Sequence, residues 1–146
     1  MHYEGNIIRP PSEADSILLQ VTVGCSRNKC TFCGTYTGER FRIKPEEVVM
    51  EDIAFAARYC RRQRRVFLCD GDVMVIPQAR LMKILGAIRG QLPWVTRVGV
   101  YANAKSLEYC RTIECLCNNR DTIATIGIAD LSTRRQGAAV TVTRQA

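Results

Sequence analysis

Three cysteines stand close together early in the chain, at Cys25, Cys30 and Cys33. Their spacing is Cys-x4-Cys-x2-Cys, and Gly24 and Gly34 enclose the segment, where they let the backbone turn tightly. Because thiolates are soft anionic ligands, three at this spacing can meet one metal centre without a ligand from a distant segment. With no histidine nearby, the set suits iron and sulfide and leaves one iron position open. We therefore predict a metal-cluster loop.

A second polar group directly follows a short apolar run at residues 66–69 and consists of Asp70, Gly71 and Asp72. The run predicts a buried strand, and the group predicts a glycine-centred turn at its carboxyl end. Loops at this end of a strand are where α/β folds place their ligands. Aspartates are also ordinary turn formers, and position alone favours that role. The nearby cysteine loop makes a cofactor role the preferred interpretation.

Alternating strand and helix patterns surround these two groups. A largely apolar run at residues 16–23 predicts a strand that ends at the cysteine loop, and residues 97–101 predict another. Pro45 and Pro77 begin two helices between the strands. Their apolar stripes are Val49, Ile53, Ala56, Ala57 and Cys60, and then Leu81, Ile84, Leu85, Ile88 and Leu92. This order predicts an α/β fold with βαβ units, a parallel sheet and right-handed crossovers.

The periodic signal weakens beyond about Leu107. Residues 108–119 suggest a short helix without a clean apolar stripe, residues 122–128 a fourth strand, and residues 132–146 an irregular tail. We therefore divide the chain into residues 1–107, which carry the two chemical groups, and residues 108–146, a C-terminal region of weaker pattern.

The composition fits one globular domain. The chain has 146 residues, of which 47% are hydrophobic and 24% charged, enough for one core. No apolar run could span a bilayer and no signal segment opens the chain, so we expect a cytoplasmic protein without membrane association. In that compartment, eight cysteines favour metal or redox chemistry over disulfides.

The formal net charge of +7 indicates an anionic partner or cofactor. Five arginines cluster near the predicted end of the first helix, at Arg58, Arg61, Arg62, Arg64 and Arg65. A solvated basic face that complements the negative end of the helix is the simpler interpretation. Contact with an RNA backbone is the alternative.

The cysteine loop in its context resembles the radical S-adenosylmethionine (SAM) enzymes. The similarity includes the preceding strand, the Cys-Thr-Phe-Cys-Gly end of the loop and the Asp-Gly-Asp turn, and it covers residues 2–106. The common family spacing is Cys-x3-Cys-x2-Cys, so this chain has one additional residue between the first two cysteines. The resemblance implies a partial (β/α) barrel of the radical SAM type, here incomplete, with about three βα units and an irregular C-terminal region.

The resemblance also implies the cofactors. Cys25, Cys30 and Cys33 would each bind one iron of a 4Fe–4S cluster, and the fourth iron would bind the amino and carboxylate groups of SAM. Phe32 would lie near the adenine, and residues 70–72 would replace the family's Gly-Gly-Glu-like turn, which receives the SAM amino group. One electron from a donor such as flavodoxin or ferredoxin would cleave SAM to methionine and a 5′-deoxyadenosyl radical. The family is enzymatic, but these residues do not identify a substrate.

Two other classes of metal protein remain as alternatives. The spacing matches a plant-type 2Fe–2S electron-transfer protein, with Cys60 or Cys69 as the fourth ligand. Against it, Cys60 falls on a helix stripe and Cys69 in a buried strand. A structural zinc site would add one further cysteine to the loop, although zinc sites more often pair two Cys-x2-Cys knuckles. For the cysteines outside the loop, which also include Cys110, Cys115 and Cys117, a small buried hydrophobic role is the simplest interpretation.

The family's later SAM contacts have no secure match in this chain. Residues 126–130 are the nearest candidate, and they lack the expected glutamate. Because periodicity and resemblance end together near Leu107, we hypothesise a truncated family member, or one whose end diverges through a frame change. Such a chain would keep its cluster loop, would expose an apolar sheet edge, and would have doubtful catalytic activity.

Overall fold

A computed structural model gives the fold of the chain. It describes residues 1–28 and 34–103, together with the backbone of two further strands at residues 124–129 and 139–141. The strands are β1 (Ile17–Gln20), β2 (Thr22–Val23), β3 (Arg42–Ile43), β4 (Arg65–Cys69), β5 (Arg97–Asn103), β6 (Ala124–Ala129) and β7 (Ala139–Thr141). The helices are α1 (Glu46–Tyr59) and α2 (Gln78–Gln91), and two short 3-10 helices cover Pro11–Glu13 and Val73–Val75.

The strands form one large sheet and one small ribbon. The order in the large sheet is β1-β4-β5-β6-β7, in which β7 alone runs antiparallel to its neighbour. The register pairs Leu19 with Leu68 and Phe67 with Gly99. The predicted α/β class is therefore confirmed: β1, β4 and β5 are parallel strands connected through α1 and α2. Over the described residues the sheet stays open and does not close into a barrel.

Two strands extend this sheet beyond residue 103. The predicted fourth strand at residues 122–128 corresponds to β6. β7 lies within residues 132–146, for which the sequence predicts an irregular tail. Its Val140 and Thr141 are β-branched and pair with Ile126 and Thr125. The predicted helix at residues 108–119 lies outside the described residues.

The core lies between the helices and one face of the sheet. Because side chains alternate along a strand, every second residue of β1, β4 and β5 faces the helices. These buried residues are Ile17, Leu19, Val66, Leu68, Val98 and Val100. The predicted stripes supply the opposite side with Val49, Ile53, Ala56, Leu81, Ile84, Leu85, Ile88 and Leu92, while Ala57 and Cys60 are only partly buried. Removal of this apolar surface from water holds both helices on the sheet.

The strand predicted at residues 16–23 is divided in the structure. β1 ends at Gln20, and β2 leaves the large sheet to pair antiparallel with β3. Two backbone hydrogen bonds hold this change of direction: Val21 N donates to Cys69 O at 2.7 Å, and Lys44 N donates to Val21 O at 3.1 Å. The mixed pattern of residues 35–44 does not predict β3. The ribbon positions the chain just before Cys25.

α1 ends before most of the arginine cluster. The N–H of Cys60 closes the helix on Ala56 O at 2.9 Å, so only Arg58 lies in the last turn. The helix therefore ends earlier than the sequence predicts, and the placement of the whole cluster in its last turn is wrong. Arg61, Arg62 and Arg64 lie in the connection to β4, and Arg65 is the first residue of that strand. Each described helix is too short or too polar to cross a membrane.

The N-terminal segment, residues 1–9, is attached to both β1 and α1. Tyr3 Oη donates to Leu18 O at 3.0 Å, and Glu4 N donates to Gln20 Oε1 at 2.8 Å. His2 N donates to the buried Asp52 carboxylate at 2.9 Å, and the His2 ring Nδ1 lies 2.9 Å from the same oxygen. These bonds hold an irregular segment against the edge of the sheet.

Candidate functional site

The start of the cysteine loop lies against the Asp-Gly-Asp turn. β4 ends at Cys69, and the ribbon brings Cys25 to the same edge of the sheet, where parallel strands have their carboxyl ends. A Cβ atom built on Gly71 would lie 2.7 Å from Cys25 Cβ, closer than real side chains approach, and 3.1 Å from Cys25 Sγ. Only glycine therefore fits at position 71 while Cys25 keeps its place.

Gly24 turns the chain into the loop, as predicted. Its φ of +72° lies in the left-handed region that favours glycine. A Cβ atom on Gly24 would lie 3.5 Å from Glu39 Cβ and 3.6 Å from Phe41 Cα, so the returning limb of the loop packs closely beside it. The two limbs therefore leave and rejoin the ribbon side by side.

A hydrogen bond closes the loop further out. Asn28 Nδ2 donates to Tyr36 O at 2.8 Å, which joins the two described limbs of the loop. A turn follows on the returning limb, in which Thr37 N donates to Gly34 O at 3.2 Å. The predicted site residues Cys30, Phe32 and Cys33 lie outside the described residues. The Asn28–Tyr36 hydrogen bond joins the two described limbs between which these three residues stand in the sequence.

Asp70 is fully buried and joins three parts of the chain. Its carboxylate accepts hydrogen bonds from Gln20 Nε2 at 2.8 Å and from Tyr36 Oη at 3.0 Å. Its backbone N–H donates to Thr22 Oγ1 at 3.2 Å. Asp70 therefore ties the turn after β4 to β1, to the ribbon and to the returning limb of the cysteine loop. This is a structural role at the base of the site.

Asp72 is also buried, and it contacts the cysteine loop directly. Its Oδ1 accepts from Met74 N at 3.2 Å and caps the short 3-10 helix after the turn. Its Oδ2 accepts from Ser26 Oγ at 3.4 Å, and Ser26 is the residue after Cys25. Asp72 thus combines the turn-forming role with a contact to the loop. Of the two aspartates, it is the one whose carboxylate contacts the residue next to the predicted ligand Cys25.

The electrostatics at the base of the site oppose added charge. Burial raises the pKa of the Asp70 carboxyl, and hydrogen bonds from Gln20, Tyr36 and the N–H of Ile8 act against that shift. Burial also raises the pKa of Tyr36 well above its ordinary value, and the neighbouring Asp70 carboxylate adds to the effect. Tyr36 therefore stays protonated as a hydrogen-bond donor to Asp70.

The cysteines proposed as a fourth ligand are not placed for that role. Cys60 follows α1, which returns the chain to the amino ends of the parallel strands, at the edge opposite Cys25. Cys69 is fully buried, and its Sγ lies 3.7 Å from Phe67 O. Burial, followed by the Asp70 charge, raises the pKa of the Cys69 thiol and disfavours the thiolate that a metal would need. Cys110, Cys115 and Cys117 lie outside the described residues.

Sequence reasoning found the two contacting groups but missed the residues that position them. Gln20, Thr22, Asn28 and Tyr36 hold the turn and the loop together. One signal was available, since Gln20 is a polar residue within an apolar strand pattern. In the part of the chain that the structure describes, no three Cys, His, Asp or Glu side chains come together as metal ligands. Of the three predicted ligands, that part contains Cys25.

Comparisons of the chain with protein-family models, with curated proteins and with solved structures found no match. The contacts of the site itself therefore define its chemistry. These contacts offer a half-buried thiol at Cys25, a glycine without a side chain beside it, and a carboxylate one residue further along the same turn. Such a set can hold a soft metal ion through sulfur and a positively charged group through Asp72.

Proposed function

We propose that this chain is a radical SAM-type protein that holds a 4Fe–4S cluster and binds SAM. The contact between Cys25 and Gly71 carries the proposal, because it places the first of three closely spaced cysteines against the turn that would receive the SAM amino group. The open sheet would then be the first part of a partial (β/α) barrel, with β1, β4 and β5 inside and the two helices outside.

The donor set fits a cluster with one open iron. Cys25, Cys30 and Cys33 would supply three thiolates, and the described cysteines offer no suitable fourth ligand because Cys60 lies at the opposite edge and the burial of Cys69, which raises the pKa of its thiol, disfavours its thiolate. When bound and reduced, such a cluster supplies the single electron that cleaves SAM. A small electron-transfer protein such as flavodoxin or ferredoxin would provide that electron.

The residues of the turn would have different roles. Gly71 leaves the space that Cys25 occupies, and Asp72 offers a carboxylate to the ammonium of SAM while Ser26 orients it. Asp70 would act as a positioning residue, because its carboxylate already accepts two side-chain hydrogen bonds below the site. Phe32 would pack near the adenine, as the resemblance implies.

The proposal is tested by anaerobic iron–sulfide reconstitution of the full chain, followed by iron analysis and electron paramagnetic resonance of the reduced protein with and without SAM. We expect about four irons per chain and a 4Fe–4S signal that changes shape when SAM is added. Cys25→Ala should abolish the signal. Cys60→Ala is the matched control, since it removes a thiol at the opposite edge and should leave the signal intact.

Two results would overturn the proposal. A 2Fe–2S signal that does not respond to SAM would show an electron-transfer protein instead. Stoichiometric zinc in the purified chain, with no iron signal after reconstitution, would show a structural zinc site.

A further inference from the structure

A strongly basic surface lies at the end of α1. Between residues 53 and 103 the chain contains nine lysines and arginines and only two acidic residues, Asp70 and Asp72, which are both buried. Two of these nine basic residues form ion pairs: Arg97 with Glu13, and Lys83 with Glu46. Most of the remaining exposed arginines lie in the last turn of α1 or directly after it, at the edge of the sheet opposite Cys25.

Four arginines form the centre of this surface, which we call the arginine patch: Arg58, Arg61, Arg62 and Arg64. All four are exposed, and among the described residues none pairs with a carboxylate. The Arg61 guanidinium lies 4.7 Å from the ring centroid of Trp94, and Arg64 Nη1 donates to Trp94 O at 3.4 Å. The connection that carries the patch is therefore fixed to the connection between α2 and β5.

Two exposed aromatic side chains stand beside the arginine patch. Phe55 is 43% exposed and Tyr59 is 63% exposed, and both lie on the solvent side of α1, one turn apart. Their ring centroids are 4.6 Å apart, with the planes tilted by 44°. A solvated basic face has no need of exposed aromatic rings, so this pair needs a separate explanation.

We propose that the arginine patch, together with Phe55 and Tyr59, binds single-stranded RNA. The guanidinium groups would contact phosphates, and the rings would stack with unpaired bases, which is the combination that single-strand-binding surfaces use. A duplex hides the faces of its bases, so the aromatic pair favours an unpaired strand. The Tyr59 hydroxyl and the arginine donors also offer partners to the 2′-hydroxyl, which favours RNA over DNA.

The test is binding of a fluorescently labelled oligouridine of about 12 nucleotides to the full chain, measured by anisotropy across a range of salt concentrations. The double variant Phe55→Ala/Tyr59→Ala should weaken binding by at least about tenfold at fixed salt, because two bases lose their aromatic stacking partners. Arg61→Gln/Arg62→Gln/Arg64→Gln should reduce the slope of log affinity against log salt by about 2. Both variants change mainly exposed side chains, and circular dichroism checks that each still folds.

Arg40→Gln is the matched control, since it removes an exposed arginine on the returning limb of the cysteine loop. It should leave the affinity within about twofold. The proposal is overturned if the aromatic double variant binds oligouridine as tightly as the original chain, or if heparin, duplex RNA or phosphatidylserine vesicles bind as well as the oligonucleotide. Equal affinity for the matching DNA strand would overturn the choice of RNA. All measurements are made without a cluster, so failure of the cofactor proposal would not affect them.

Discussion

At position 71, the absence of a side chain lets two segments that are distant in sequence touch. Cys25 Cβ lies 2.7 Å from the position that a Cβ atom on residue 71 would take, and Ser26 donates to the next residue of the turn, Asp72. The same turn is fixed from below by Asp70, which is bonded to Gln20 and Tyr36. Single substitutions at these positions should therefore distinguish the steric role of Gly71 from the hydrogen-bonding roles of Asp70 and Tyr36.

Gly71→Ala should displace the cysteine loop. The new Cβ would stand 2.7 Å from Cys25 Cβ, so we expect a loss of about 1–3 kcal/mol in the free energy of unfolding and a reduced iron content after reconstitution. Urea unfolding and iron analysis measure the two effects. Gly86→Ala is the control, because a Cβ atom on this helical glycine would have nothing within 4 Å, and the variant should gain about 0.5–1 kcal/mol. Equal behaviour of the two variants would contradict the contact.

Asp70 should make stability depend on pH in an unusual direction. Because the pKa of its carboxyl is raised in the folded chain from the ordinary 3.8, the folded state holds the proton more tightly than the unfolded state. Its contribution is fully present below the unfolded pKa and is lost as pH rises through the folded pKa. The stability of the original chain relative to Asp70→Asn should therefore fall as the pH is raised above about 4. Urea unfolding at several pH values tests this, and a difference that grows with pH would contradict it.

Tyr36→Phe should remove the hydrogen bond between the loop and the turn. The phenol donates to a buried carboxylate at 3.0 Å, so its loss should cost about 1.5–3 kcal/mol at neutral pH. Because burial raises the Tyr36 pKa above the unfolded value of 10.0, the original chain should lose this advantage as pH rises beyond that value. Tyr59→Phe serves as the control at an exposed position and should change stability by less than about 0.5 kcal/mol. Similar losses in the two variants would refute the role of Tyr36.

At the scale of elements, the site depends on how β1 is continued. The chain leaves the large sheet after Gln20, forms the ribbon with β3, and so brings Cys25 beside the end of β4 rather than above β1. The N-terminal segment supports this edge, because Glu4 and Gln20 exchange two hydrogen bonds and His2 is bonded to Asp52 of α1. The N-terminal segment and the core therefore both stabilise this edge of the sheet.

Asp52→Ala should release the N-terminal segment from α1. The buried carboxylate accepts from His2 N and lies 2.9 Å from the ring Nδ1, so its removal should increase amide hydrogen exchange in residues 2–4 by at least about tenfold. Hydrogen-exchange mass spectrometry provides the measurement. Glu47→Ala removes an exposed carboxylate elsewhere on the same helix and should leave exchange unchanged. Faster exchange in both variants, or in neither, would show that Asp52 is not the anchor.

At the scale of the whole molecule, local pattern predicted the layers, and long-range contacts decided the rest. The stripes of α1 and α2 repeat with the helical period, and β4 and β5 are short apolar runs between them, so the parallel α/β arrangement followed from the sequence. The contact between Cys25 and Gly71 agrees with the rule that α/β folds place their ligands in loops at the carboxyl ends of the strands.

The division of the first strand, the ribbon and the hydrogen bonds of Asp70 could not be predicted in the same way. They depend on partners separated by up to 50 residues, such as Gln20 and Asp70, and no local periodicity records such pairs. The end of α1 was also misplaced, since arginines tolerate both a last helical turn and an exposed connection.

The central claim is that SAM binds to an open iron next to Cys25 and the turn at Gly71. The most direct measurement is electron–nuclear double resonance on the reconstituted, reduced chain with SAM isotopically labelled at its amino nitrogen. We predict a hyperfine coupling from that nitrogen to the cluster, which weakens in Gly71→Ala and persists in Gly86→Ala. A reduced 4Fe–4S cluster that shows no coupling to the labelled nitrogen at saturating SAM would contradict the claim.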